Sequence, residues 1–187
     1  MNWDAIGAIG EGAGALAVVV TLFYLALQMR QSQKMQRAVA QRDLLQRVAD
    51  WTRMVNQESE GAYDRFVLGL RDYDMADALT QMQIDKCLSE FVFVTEAALN
   101  MRRDGFFSDG TWAGIEGAAL ALLRTPGGSQ WWNYGQHFTG TEIVEYLNAR
   151  LPQVDPKTPN FLQFTPAYLN RLKELDHGTD ESTRSSA

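Results

Sequence analysis

The sequence predicts an all-α protein: one N-terminal transmembrane helix that continues into a cytoplasmic helical bundle. Three observations carry that expectation. Residues 12–29, GAGALAVVVTLFYLALQM, run for eighteen positions without a formal charge, and Arg30, Lys34, Arg37 and Arg42 follow at once. Neither Gly nor Pro interrupts the chain between Gly14 and Gly61. Beyond that, apolar residues recur three or four apart, and no strand-like alternation competes with them.

The first element is the span. A helix rises about 1.5 Å per residue, so crossing a hydrocarbon core about 30 Å thick takes roughly 20 mostly apolar residues. Extending the run back to Ile6 or Trp3 supplies that length. Two other readings compete. A cleaved signal peptide starts with a positive n-region, whereas this chain starts Met-Asn-Trp-Asp, its apolar run is longer, and no small-x-small cleavage site follows Met29. A buried helix of a soluble core is the other, because Glu11 and the early glycines dilute the apolar character. Lys and Arg are absent before the span and abundant after it, so the positive-inside rule places the N-terminus outside and the C-terminal domain in the cytoplasm.

The remaining elements follow in order. Residues 15–57 are mostly good helix formers, so the membrane helix is expected to continue to about Gln57. Residues 30–43 are polar on nearly all sides, as a solvated stalk would be. Leu44, Val48, Trp51 and Val55 then form one apolar stripe. A break at 58–61 precedes a short helix carrying Tyr63, Phe66, Val67 and Leu70. After a turn at 71–77, Asp74 or Asp77 is positioned to cap a long helix ending near Arg103. Its expected buried set is Leu79, Met82, Cys87, Leu88, Phe91, Val94, Ala98 and Met101, and the all-apolar 91–94 run makes it central.

Asp109 precedes a helix with Trp112, Ile115, Ala119, Leu122 and Leu123 on one side. Thr125-Pro-Gly-Gly opens another short helix, and Thr139-x-x-Glu142 has capping-box spacing before a helix to about Leu151. Pro152, Pro156 and Pro159 predict extended chain, and Pro166 suits the first turn of a last helix. From Asp176 on, the polar composition predicts disorder. The expected division is therefore 1–30 anchor, 31–57 stalk helix, 58–175 bundle and 176–187 disordered tail.

Charge and sulfur narrow the function classes. The net charge of −6 argues against nucleic acid as a partner, since phosphate binding needs a basic footprint. Residues 30–53 are the exception, with six Lys or Arg against Asp43 and Asp50. Anionic headgroups attract such a segment at about 1 kcal/mol per basic residue. The single cysteine, Cys87, cannot make an internal disulfide, and no Cys/His spacing points to zinc. No cofactor or metal is expected. The chain lacks Glu-x-x-His pairs, a Gly-x-Ser-x-Gly elbow, a Walker loop and a dinucleotide fingerprint following a strand.

Two places could carry function. Gly7, Gly10, Glu11 and Gly14 give the membrane helix a smooth face with one charge, where another helix can approach closely. Trp131, Trp132, Tyr134 and His137, with Phe138, form the densest aromatic cluster. It is a candidate pocket or interface, though such clusters usually belong to a core or sit at headgroup level. The glycines before it free a helix N-terminus that could face an anion. Glu96 follows an apolar run and reads as a satisfied structural carboxylate, while Glu116, Glu142 and Glu145 read as surface carboxylates.

The N-terminal MNWDAIGAIGEGAGALAVVVTLFYLALQMRQ, with PGGSQWW at 126–132, resembles a widespread group of uncharacterised bacterial single-span proteins with a helical C-terminal domain. The resemblance implies a bacterial inner-membrane protein and transfers no catalytic residue. The expected function is a membrane-anchored, non-enzymatic interaction module or accessory subunit, partnered by the bilayer and by a membrane protein or a second copy. The alternatives are a sensory bundle binding a ligand at Trp131, Trp132 and Tyr134, and an enzyme using Glu96, Glu142, Glu145 or His137.

Overall fold

The computed structural model describes the backbone of residues 3–57, 61–106, 108–164 and 166–185, and the side chains of 11–12, 14–55, 61–106, 108–164 and 166–176. Among these residues the protein is all helical, with no strand. The α-helices are α1 (Trp3–Gln57), α2 (Ala62–Arg71), α3 (Ala78–Arg103), α4 (Asp109–Leu123), α5 (Pro126–Gly135), α6 (Thr141–Arg150) and α7 (Pro166–Ser185). Single 3-10 turns lie at Gln136–Phe138, Leu151–Gln153 and Phe161–Gln163. The chain divides into two compact units, Met1–Arg42 and Asp43–Ala187.

Within the first unit, α1 is long and apolar enough to cross a membrane. Leu16, Val18, Val19, Val20, Leu22 and Phe23 are each more than half exposed. Two polar side chains within its apolar stretch find partners along the same helix. Thr21 Oγ1 donates to the Ala17 carbonyl at 2.8 Å, and Gln28 Nε2 donates to the Tyr24 hydroxyl at 2.7 Å. Inside hydrocarbon such groups have no water to turn to, so partners along the same helix lower the cost of burying them there.

The second unit is a bundle around α3, which packs against α2, α4, α5 and α6. The stripe at the end of α1 joins its core: Leu44, Trp51 and Val55 are buried and Val48 is partly so. Trp51 sits among Phe66, Phe91 and Phe161, with ring centroids 6.0, 4.7 and 6.5 Å away, and donates its Nε1–H to the Cys87 carbonyl at 2.7 Å.

Local chemistry sets the helix ends. Asp77 caps α3 by accepting from Thr80 N at 3.0 Å. At the other end Gly105, at φ +69°, carries the reversal: its N–H reaches the Arg102 carbonyl and Phe106 N reaches that of Met101, a Schellman closure. Ser108 caps α4, so Asp109 is its first residue rather than the one before it. Thr125 caps α5, accepting from Gly128 N at 3.0 Å, with Pro126 in the first turn.

Three expectations give way to tertiary packing. Leu79 and Met82 are exposed, and Thr80 and Ile84 are buried in their place. Gly69 of α2 explains the shift: a Cβ there would lie 2.2 Å from Ile84 Cγ1, so this face of α3 meets α2. Gly140, not Thr139, is the N-cap of α6, because Glu142 is drawn to Arg103 of α3. The proline-rich stretch after α6 is only partly extended, beginning in a 3-10 turn through Pro152. Where composition predicts a disordered tail over 176–187, the backbone of α7 continues as helix to Ser185, and the side chains of 177–187 lie outside the described residues.

Candidate functional site

Trp131 and Trp132 are buried in the core, and both indoles have partners. Trp131 Nε1 donates to Asp85 Oδ1 at 2.9 Å, and Trp132 Nε1 donates to Asn148 Oδ1 at 2.8 Å. Asp85 Oδ1 also accepts from the Tyr73 hydroxyl at 2.8 Å. Burial first, and then this bond to a carboxylate, push the Tyr73 phenol up to about 12. Tyr134 and His137 are exposed. Tyr134 faces Tyr73 at 6.1 Å between centroids and lines a small open pocket with Asp74 and Gln81. The aromatic cluster is thus split between a saturated core and a solvated edge.

The glycines preceding it serve packing. A Cβ at Gly127 would lie 1.8 Å from the Gly69 carbonyl oxygen, and one at Gly128 would lie 2.1 Å from that of Leu122. Gly127 lets α5 cross α2 backbone to backbone.

Glu116 is not a surface carboxylate. It is buried, and Glu116 Oε1 accepts from the Tyr146 hydroxyl at 2.5 Å and from Arg150 Nε at 2.7 Å. This pins α6 to α4. Burial, followed by the Glu116 hydrogen bond, raises the Tyr146 phenol above its ordinary range. Glu142 pairs with Arg103, Glu145 is exposed, and Glu96 lies partly buried against Gly140. No hydrogen bond joins Glu96, Glu142, Glu145 or His137 to one another among the described residues. Nor does any group of three His, Cys, Asp or Glu gather there as metal ligands.

On the membrane helix, Glu11 and Gly14 are exposed, and a Cβ at Gly14 would meet nothing within 4 Å. Gly7 and Gly10 belong to α1, but their surroundings lie outside the described residues.

One feature has no counterpart among the sequence candidates. An apolar groove of about 460 Å³ runs along the outer face of α4. Its floor is Ala113, Gly117 and Ala121, its far wall Val154, Pro159 and Phe164, and Arg124 stands at the end of the helix. The signal was present in the sequence: the face of α4 opposite Trp112, Ile115, Ala119 and Leu122 is small, apolar and uncharged.

No family model, curated protein or solved structure matches this chain. Two surfaces stand out: the exposed apolar length of α1 and the groove on α4.

Proposed function

We propose that the protein is a membrane-anchored, non-enzymatic helical module, held by α1 in a bacterial inner membrane with Asp43–Ala187 in the cytoplasm, where it docks a partner or stabilises a membrane assembly. The observation that carries this reading is the run of exposed large side chains from Leu16 to Leu27. A contiguous apolar surface of that size is a liability in water and is favourable in lipid. The local pairing of Thr21 and Gln28 supports the same reading, as do the six basic residues at 30–53. Gly14, with open space where a Cβ would stand, supports helix-to-helix docking through Gly7, Gly10 and Gly14.

Alkaline extraction of native membranes and reporter fusions at each end test the anchor and its orientation. The full chain should stay in the membrane pellet, and only the C-terminal fusion should report the cytoplasm. Release into the supernatant, or a C-terminal end outside, refutes it. Crosslinking in native membranes tests docking: Gly10→Leu and Gly14→Leu should abolish a specific adduct, and a monomer indifferent to both removes the interaction role.

A further inference from the structure

We propose that the α4 groove binds the chain of a long-chain fatty acid, with its carboxylate held by Arg124. The groove lies within Asp43–Ala187, so this inference stands apart from the anchoring proposal.

The floor of the groove is made by side chains that are missing without a packing reason. Gly69, Gly127, Gly128 and Gly135 all stand where a Cβ would clash with neighbouring atoms. At Gly114 and Gly117 of α4, a Cβ would meet nothing within 4 Å. Neither has positive φ, so the backbone does not require glycine. Glycine inside a helix weakens it relative to alanine. Two such residues on one exposed face, flanked by Ala113 and Ala121, keep a channel open at the expense of the helix that carries it.

The lining fixes the chemistry of the occupant. About 460 Å³ is within the usual range for a small-molecule site, which is mostly apolar with a few orienting polar groups. Here the orienting group is Arg124. Among the described residues its one hydrogen bond goes from NH2 to the Asp155 carbonyl at 3.3 Å, and no carboxylate pairs with it. A guanidinium fork matches a carboxylate, so an apolar channel ending in one unpaired arginine complements a chain with a terminal carboxylate. From Ala113 to Arg124 the helix covers about 16 Å, room for an extended acyl segment.

The test uses the full chain in phosphatidylcholine nanodiscs, exposed to a diazirine-bearing analogue of myristic acid, photolysed and mapped by peptide mass spectrometry. Label should appear saturably on peptides spanning 113–124 and 154–164 and should be displaced by myristate. Gly117→Leu and Gly114→Leu place a side chain into open space, so both variants should keep the wild-type near-ultraviolet circular dichroism. Each should cut that label by roughly tenfold, as should Arg124→Gln, the scale of losing one charged hydrogen bond or the space itself. Label confined to 14–29, or groove label unchanged in the leucine variants, overturns the proposal. Equal groove labelling by a diazirine-bearing fatty alcohol overturns the role of Arg124. Spontaneous disulfide crosslinking between copies carrying Gly117→Cys shows that a second copy covers this face, and also overturns it.

Discussion

Two chemically identical substitutions, Gly127→Ala and Gly117→Ala, should move stability in opposite directions. Intrinsic helix propensity favours alanine at both. At Gly117 nothing opposes it, since the new Cβ meets no atom within 4 Å, and the expected gain is up to about 1 kcal/mol. At Gly127 the new Cβ would lie 1.8 Å from the Gly69 carbonyl oxygen. Carbon and oxygen normally approach to about 3.3 Å, so the helices must part by roughly 1.5 Å. Neither side yields easily. The clashing atom belongs to backbone, and α2 is backed by Ile84, whose Cγ1 lies 2.2 Å from where a Gly69 Cβ would stand. Overpacking of this kind costs about 1–3 kcal/mol and sometimes more, and a backbone clash belongs at the upper end. The variants should therefore differ by about 4 kcal/mol, close to three decades in the folding equilibrium and a large share of ordinary domain stability. For a chain of this size, Gly127→Ala should lower Tm by about 6–12 °C and Gly117→Ala should raise it by about 2–4 °C. Denaturant unfolding of the full chain in detergent, followed by tryptophan fluorescence, gives both numbers. A Gly127→Ala protein as stable as wild type would mean that α2 and α5 do not cross backbone to backbone.

Two further expectations concern polar contacts. Asp85→Leu removes the acceptor that Trp131 and Tyr73 share, leaving a buried indole N–H unpaired at a cost of about 1–3 kcal/mol, whereas Asp85→Asn keeps an oxygen and should recover most of it in the same assay. The Tyr73 contact is whole below the phenol's ordinary value of 10.0 and is lost as pH climbs through about 12, a decline that Tyr73→Phe should reduce, leaving the smaller share of the raised Tyr63 and Tyr146 phenols. At the other extreme, the Arg171 fork grips Asp64 at 2.7 and 2.8 Å and holds its carboxyl below the ordinary 3.8. A depressed carboxyl stabilises the fold above its ordinary value and loses that contribution as pH falls toward its folded value. The Tm difference between wild type and Asp64→Asn should be flat above about pH 5 and shrink below about pH 4, and a gap unchanged at pH 3 would refute the pairing.

The parts of the fold governed by local rules were legible in the sequence. The 44–48–51–55 stripe, the cap at Asp77, the opening of α5 at Thr125 and the buried side of α4 each depend on residues a turn or two apart. What was not legible depends on residues far apart. Leu79 and Met82 fit a helical stripe as well as Thr80 and Ile84 do, and only the close approach of Gly69 decides between them. Glu142 has capping spacing, but its carboxylate answers an arginine thirty-nine positions earlier. Glu116 reads as a surface residue until Tyr146 and Arg150 are folded back onto it.

The candidate sites follow the same division, with one difference that bears on function. Aromatic density drew attention to Trp131 and Trp132, yet indoles whose N–H groups are both paired in a core offer little to a ligand. The α4 face was inconspicuous because it consists of small residues, which carry meaning only once the opposite wall is in place. Charge then separates binding surface from ordinary surface. Arginines across this acidic unit find carboxylates: Arg71 with Asp176, Arg102 with Asp109, Arg103 with Glu142, Arg150 with Glu116, Arg171 with Asp64. Arg124 instead rests on a backbone carbonyl beside the apolar groove. In a protein with more acidic than basic residues, a guanidinium left without a carboxylate at the mouth of an apolar channel has its charge best matched by one brought from outside.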